Sequence, residues 1–241
     1  MQRRDFLKVI ATGTVVAVYP SMISGKLYAD DGALFTSYGK VQLVDEEGNP
    51  LLASKLEKEK NYVFNYPHVA TTCILVAMNT PAEKKVSLKD EDGVEYIWNG
   101  AVGKENNIVA YSAICPHQLT HINKEDTFIS YLAEGGKTMA CKESGVIVCG
   151  SHLSAYDPHK GCKVMAGPAP QPLASIVLEH HDDDTIWAVA VLGNDKFHQF
   201  FSAFKPELKE QFGGKRKAKK KVSDSATTMA LNDYTKDVIR Y

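Results

Sequence analysis

The sequence predicts an all-β domain flanked by one helical segment at each end. Short apolar runs rich in Val, Ile, Tyr and Thr recur from residue 33 to 193, with turn residues between them. An unbroken apolar run near the N-terminus and helical spacing of apolar residues near the C-terminus supply the flanking helices. At 241 residues the chain is long enough to bury a proper core, and no internal repeat is visible. A formal net charge of −1 gives no general attraction to nucleic acid, so none is expected as a partner.

The N-terminal element spans residues 1–24. It reads Met1-Gln2-Arg3-Arg4-Asp5-Phe6-Leu7-Lys8 and runs on into an apolar stretch, residues 9–23. R-R-x-F-L-K before an apolar run looks like a twin-arginine export signal, which carries folded proteins across the cytoplasmic membrane. A spanning helix needs about 20 apolar residues. The segment is barely that long, and it lacks a clean A-x-A cleavage site, so retention as a membrane anchor is expected. If it is cleaved, the product is a soluble periplasmic protein. Residues 25–32 read as a polar connector.

Strands follow over residues 40–44, before the turn Gly48-Asn49-Pro50, and then over 73–78, 94–98, 108–114, 146–148, 175–178 and 185–192. Phe197, Phe200, Phe201, Phe204 and Leu208 share one helical face, which ends at Gly213-Gly214 and is expected to pack on its own domain. The basic run at 215–221 reads as a solvated linker. The tail at 223–241 carries no functional signal.

Two motifs carry the chemistry: Cys115-Pro116-His117 and Cys149-Gly150-Ser151-His152. Each offers one thiolate and one imidazole from a tight loop. C-x-H with C-x-x-H suits a [2Fe–2S] centre in which two Cys hold one iron and two His hold the other. Two neutral imidazoles in place of two thiolates lower the negative charge around such a cluster and raise its potential. A structural zinc ion is the alternative, since Cys₂His₂ also satisfies tetrahedral zinc. Zinc fingers, however, group the two Cys together and the two His together. His121 is too far from Cys115 for the C-x-H spacing and is left out of the set. Of the other cysteines, Cys73 sits in an apolar run and reads as core. Cys141 and Cys162 are free to pair in an oxidising compartment, and the sequence leaves that open. Catalytic triads, phosphate loops and paired carboxylates do not stand out.

After His152 come Leu153-Ser154-Ala155-Tyr156-Asp157 and, further on, Gly167-Pro168-Ala169-Pro170. With the two ligand motifs, these residues resemble the Rieske iron–sulfur protein family. The resemblance implies antiparallel sheets over 33–193, with a cluster-binding subdomain at about 113–173; the C-terminal helix and basic tail read from the sequence pattern occupy 194–241. It agrees with the spacing in giving one [2Fe–2S] cluster held by Cys115, His117, Cys149 and His152. It also places Ser154 and Tyr156 where high-potential members donate hydrogen bonds to a bridging sulfide and a cysteine sulfur; such donors favour the reduced state. Gly167-Pro168-Ala169-Pro170 matches the loop that covers one side of the cluster. Thr120 and Ser151 stand where quinol-oxidising members carry two further cysteines joined as a disulfide, so that bridge cannot form here. Leu153 stands where the family usually has Gly, and the stretch between the motifs is long.

Electron transfer follows from the resemblance, and the favoured form is the iron–sulfur subunit of a bc₁-type quinol–cytochrome c oxidoreductase. His152 would then face quinol and accept its proton, with cytochrome b and a cytochrome c-type subunit as partners. The first alternative is the small subunit of a periplasmic molybdoenzyme of the arsenite-oxidase type, which relays electrons beside a molybdopterin subunit. The second is a zinc-stabilised binding domain. In the favoured form the protein sits on the periplasmic side of the bacterial cytoplasmic membrane, held by its N-terminal segment.

Overall fold

The computed structural model describes residues 34–241. The expected signal or anchor at 1–24, with Arg3 and Arg4, and the connector at 25–32 lie outside the described residues. No helix among the described residues is long and apolar enough to cross a membrane.

The chain is mostly β, as its patterning predicts. Strands β1 (Phe35–Val44), β2 (Tyr62–Asn65) and β3 (Thr72–Ala77) are followed by a hairpin, β4 (Val86–Lys89) with β5 (Glu95–Trp98). Next come β6 (Ile108–Ser112), β7 (Asp126–Thr127), β8 (Ile129–Leu132), β9 (Val146–Cys149), β10 (Ser154–Asp157) and β11 (Lys163–Ala166). The long hairpin of β12 (Ser175–His180) and β13 (Ile186–Leu192) completes the predicted domain. Three short strands lie in the tail: β14 (Ser225–Thr227), β15 (Met229–Ala230) and β16 (Asp237–Val238).

The main sheet has eight strands in the order β14-β1-β13-β12-β6-β3-β2-β15. Its middle explains why β3 reads as a continuous apolar run rather than an alternating one. All six of its residues are buried. Cys73, Leu75 and Ala77 face one hydrophobic core, and Ile74 and Val76 face a second. Both faces of the strand are thus covered, and period-2 polarity disappears. In β6, Ile108 and Ala110 join the first core while Val109 and Tyr111 join the second. The first core holds Phe197, Phe200, Phe201 and Leu208 from the C-terminal helices. The second is shared with Ile129, Tyr131, Ile147 and Tyr156 of a four-stranded sheet, order β11-β10-β9-β8. The smaller sheet carries the second ligand motif. The main sheet runs straight into the first, through Ala113, whose N–H donates to Thr72 O at 2.9 Å.

The C-terminal helix is broken. The i, i+3, i+4 spacing predicts one helix, but the chain forms α1 (Phe197–Ala203) and α2 (Lys205–Phe212) with a joint at Phe204. Pro206 is the cause: it has no N–H to continue the ladder, and its ring excludes the carbonyl four residues back. The apolar face still docks on its own domain. Phe197, Phe200 and Phe201 are at most 3% exposed, and each such burial contributes about 2 kcal/mol. α2 closes at Gly213, whose φ of 70° suits glycine.

The basic run is not a solvated linker. It forms a short helix, α3 (Lys215–Ala218), with Ala218 fully buried. Lys219 and Lys221 then lie over the rings of Phe201 and Tyr38, at 5.5 and 5.6 Å from their centroids. The tail is structured too. β14 pairs with β1 and β15 with β2, so one segment, residues 225–230, covers both edges of the main sheet. A short helix, α4 (Leu231–Tyr234), leads to β16, which pairs with β7. Cys141 and Cys162 are both free. Cys162 is fully buried in the second core, as Cys73 is in the first, and burial pushes both thiols up.

Candidate metal centre

The first ligand loop grows out of β6. The Cys115 N–H donates to Thr120 O at 2.8 Å, and the Leu119 N–H donates back to Cys115 O at 2.9 Å. Ile114 and His121 form an isolated antiparallel bridge that closes the loop. The second loop is the turn between β9 and β10, with Cys149 opposite Ser154. Its Gly150 N–H donates to Phe128 O at 2.7 Å, so the long segment between the motifs braces it. In each loop the residue four after the cysteine is a leucine with φ of 61°: Leu119 and Leu153. That left-handed conformation explains why glycine would suit the position of Leu153, and it costs a leucine about 1 kcal/mol.

These loops bring the four predicted residues together and sort them by type. Cys115 and Cys149 are at most 2% exposed and are hydrogen-bonded thiol to thiol. The His117 and His152 rings meet edge to face, centroids 4.8 Å apart and planes at 84°. His152 is exposed and His117 half-buried. The Tyr156 hydroxyl lies 3.2 Å from Cys115 Sγ. Ser154 is fully buried. The hydrogen bond from the Cys149 thiol pulls Cys115 down to about 6 against its burial, helped by Tyr156 and the N–H groups of His117 and Gln118. Cys149 is pushed up, first by sharing its proton with Cys115 and then by burial. Burial, followed by the charge of Cys115, pushes Tyr156 up, so its hydroxyl stays a donor.

The proline loop presses on the second ligand loop. Gly167 has φ of 86°, and a Cβ there would meet Leu153 O at 2.4 Å and Ser154 Cα at 2.5 Å. The turn residues Gly-Pro-Ala-Pro are therefore a contact of the site.

A bound group fits these residues. His117 Nδ1 and Ser154 Oγ are buried without a hydrogen-bond partner. An orphaned buried polar atom costs about 1–3 kcal/mol, and both orphans belong to the ligand loops. Paired thiols with paired imidazoles match an iron held by two Cys beside an iron held by two His. A single zinc ion would gather all four donors around one point. Among the described residues, no group of three or more His, Cys, Asp or Glu closes on one ion.

His121 lies beside the first loop with both ring nitrogens engaged. Its Nε2 is 2.8 Å from Glu207 Oε1 and its Nδ1 is 2.9 Å from Leu119 O. Glu207 is a residue of the site's surroundings that sequence reasoning missed. So is Tyr241, whose ring would lie 3.2 Å from a Cβ on Gly150.

The family model for the Rieske [2Fe–2S] domain matches residues 74–177. Iodate reductase subunit IdrB of Denitromonas iodatirespirans is 27% identical over 196 residues, covering 80% of this chain and 82% of that one. A Haloferax mediterranei protein named as a respiratory nitrate reductase Rieske subunit is 25% identical over 193 residues, covering 74% of this chain and 72% of its own. The soluble domain of Rieske protein II (soxF) from Sulfolobus acidocaldarius aligns at 22% identity over 58% of this chain and 70% of that chain, with a TM-score of 0.39.

Proposed function

We propose that this chain, which carries a Rieske [2Fe–2S] domain of the kind that binds one [2Fe–2S] cluster, is the electron-relay subunit of a reductase-type complex. Cys115 and Cys149 would hold one iron of the cluster, and His117 and His152 would hold the other. The partner of this reading is a catalytic subunit of the molybdopterin kind. The observation that carries it is the pair of relatives. Both are named as reductase subunits, and this chain spans 82% and 72% of their lengths. The absence of the inter-loop bridge, with Thr120 and Ser151 at its two positions, points the same way.

When bound, the cluster supplies a centre that takes up and returns one electron. The chain's own residues do the rest. Buried Cys115 and Cys149 keep water from the sulfur side. The Tyr156 hydroxyl, 3.2 Å from Cys115 Sγ, and the buried Ser154 hydroxyl supply donors that favour added negative charge. Exposed His152 presents its ring at the surface, where a donor or acceptor can make contact. Export by the R-R-x-F-L-K signal would put this exchange on the periplasmic side of the cytoplasmic membrane, with the segment at 1–24 as anchor or, if cleaved, as leader.

The second reading is the bc₁-type subunit, with His152 as the quinol-facing residue and cytochrome b and a cytochrome c-type subunit as partners. The exposure of His152 and the two hydroxyls favour it. Purification of the tagged chain from its own host separates the two. The relay reading expects a stoichiometric molybdopterin subunit, and reoxidation of the reduced cluster in that complex by an oxyanion substrate. A b-type cytochrome in its place, with direct reduction by a quinol, would overturn it. A colourless zinc protein would overturn both.

A further inference from the structure

The two ligand loops have no covalent tie, yet the same stretch of chain, residues 197–241, touches both. We propose that the C-terminal extension, residues 197–241, is the clamp that positions them: α2 fixes the first loop through Glu207 and His121, and the chain end fixes the second through Tyr241.

At the first loop the connection is short. The Glu207 carboxylate is 2.8 Å from His121 Nε2, and His121 Nδ1 is 2.9 Å from the carbonyl of Leu119. Leu119 in turn donates its N–H to Cys115 O. The His121 ring is wedged edge-on between Phe200 and Phe204, centroids 4.7 and 4.5 Å away. Its side chain is 7% exposed. This is a tethered ring, with both nitrogens engaged and both flanks packed by the same helical pair.

At the second loop the chain end acts directly. β16 pairs with β7, and the Ile239 N–H donates to Thr127 O at 2.8 Å. Arg240 Nε donates to Ser130 Oγ at 3.3 Å. The Tyr241 carbonyl accepts from the Met139 N–H at 2.9 Å and from Thr138 Oγ1 at 2.8 Å. These bonds place the Tyr241 ring on Gly150, inside the ligand loop, where a side chain would meet it at 3.2 Å. Tyr241 is 55% exposed, so filling a core does not explain its position. Lying over the backbone between Cys149 and His152 does. Both contacts reach the loops from residues far along the chain, where Thr120 and Ser151 leave the loops unbridged.

The inference rests on the ligand assignment, which the wild-type spectrum of the reduced protein checks independently. The test uses the full cluster-loaded chain carrying E207Q, Y241A or Y241F. K236Q, which cuts the exposed Lys236–Glu125 pair in the same tail, serves as control. Three quantities are read: iron release to a ferrous chelator, the EPR line shape with the midpoint potential, and the melting of the same cluster-loaded chain. E207Q, which removes the charge facing His121, and Y241A, which removes the ring over Gly150, should each release iron about fivefold faster, the factor that corresponds to about 1 kcal/mol of lost loop support, and should alter the line shape or midpoint. Melting should move by only a few degrees. Y241F and K236Q should match the wild type. Wild-type release and spectra in both E207Q and Y241A would overturn the clamp, as would equal losses in Y241A and Y241F. An effect at one loop alone would overturn it for the other. If E207Q does not fold, Glu207→Asp, which shortens the reach to His121 and keeps the charge, tests the first loop in its place, and Y241A, whose ring is mostly in solvent, tests the second.

Discussion

Replacing Gly167 by Ala should damage the site more than any ordinary glycine-to-alanine change in a turn. Two costs add at this position. The first is conformational: φ of 86° is left-handed, and a Cβ there costs about 1 kcal/mol. The second is steric. The new Cβ would stand 2.4 Å from Leu153 O, 2.5 Å from Ser154 Cα and 2.8 Å from Leu153 C. All three are backbone atoms of the second ligand loop, so no rotamer can relieve the overlap. Forced repacking of this kind costs about 1–3 kcal/mol. Gly135 offers a matched control, with φ of 77° and nothing within 4 Å of its Cβ position. Gly135→Ala carries the first cost alone. In a chain of this size each kcal/mol moves the melting temperature by about 2–4 °C. Thermal melts followed by circular dichroism should therefore show a loss of about 3 °C for Gly135→Ala and roughly 5–15 °C for Gly167→Ala. Iron content should fall only in the latter, because the atoms displaced are those that set Ser154 beside Cys149. If the two variants melt together and bind iron equally, the proline loop does not press on the ligand loop as described.

Four further outcomes are expected. Alanine at Cys115, His117, Cys149 or His152 should abolish the Rieske EPR signal; a full-strength signal in any of the four would refute its role as a ligand. Ser154→Ala and Tyr156→Phe should keep the cluster but lower its midpoint by about 40 mV each, the one-electron equivalent of about 1 kcal/mol for a lost hydrogen bond, and unchanged midpoints would show that the hydroxyls do not reach it. Burial among Tyr38, Phe197 and Phe201, with Lys219 and Lys221 nearby, holds His68 down at about 4, so stability complete above the ordinary value near 6.5 should drain away as pH falls towards 4, by up to about 3 kcal/mol; urea titrations should show that slope flattened in His68→Phe, and an unflattened slope would refute it. Arg3→Lys with Arg4→Lys should trap the cluster-loaded protein in the cytoplasm, and fractionation that still finds it exported would refute twin-arginine transport.

What the sequence made legible was local. Cys115 with His117, and Cys149 with His152, sit within a few residues of each other, and a loop cannot hide such spacing. Strands with strong apolar runs, such as 73–78 and 185–192, emerge where expected because burial on both faces or on one leaves a plain pattern. What stayed hidden was non-local or short. β2 and β8 have only four residues each and lack the glycines on both sides that mark the equally short β5 and β9. Nothing in the order of residues joins His121 to Glu207, which are 86 positions apart. The tail looked blank because its role depends on pairing with β1, β2 and β7 rather than on its own composition. Pro206 is different. Its signal stood in the sequence, and the regular spacing of Phe197, Phe200, Phe201 and Phe204 masked it.

The two ligand loops are near-copies in backbone terms, since each begins at a cysteine and reaches a left-handed leucine four residues later. Their surroundings break the likeness. The first loop lies under α2, and Leu119 packs against the first core. The second loop is the turn of a hairpin that projects from the small sheet, with the proline loop on one side and Tyr241 on another. Equal loops in unequal settings give unequal histidines: His117 is half-buried with Nδ1 sealed from water, while His152 stands exposed. A partner that exchanges electrons by contact therefore meets His152 first, whether that partner is a quinol or a protein. The same asymmetry makes the second loop the one that a bound partner can disturb, and it is also the loop that two separate segments of the chain hold in place.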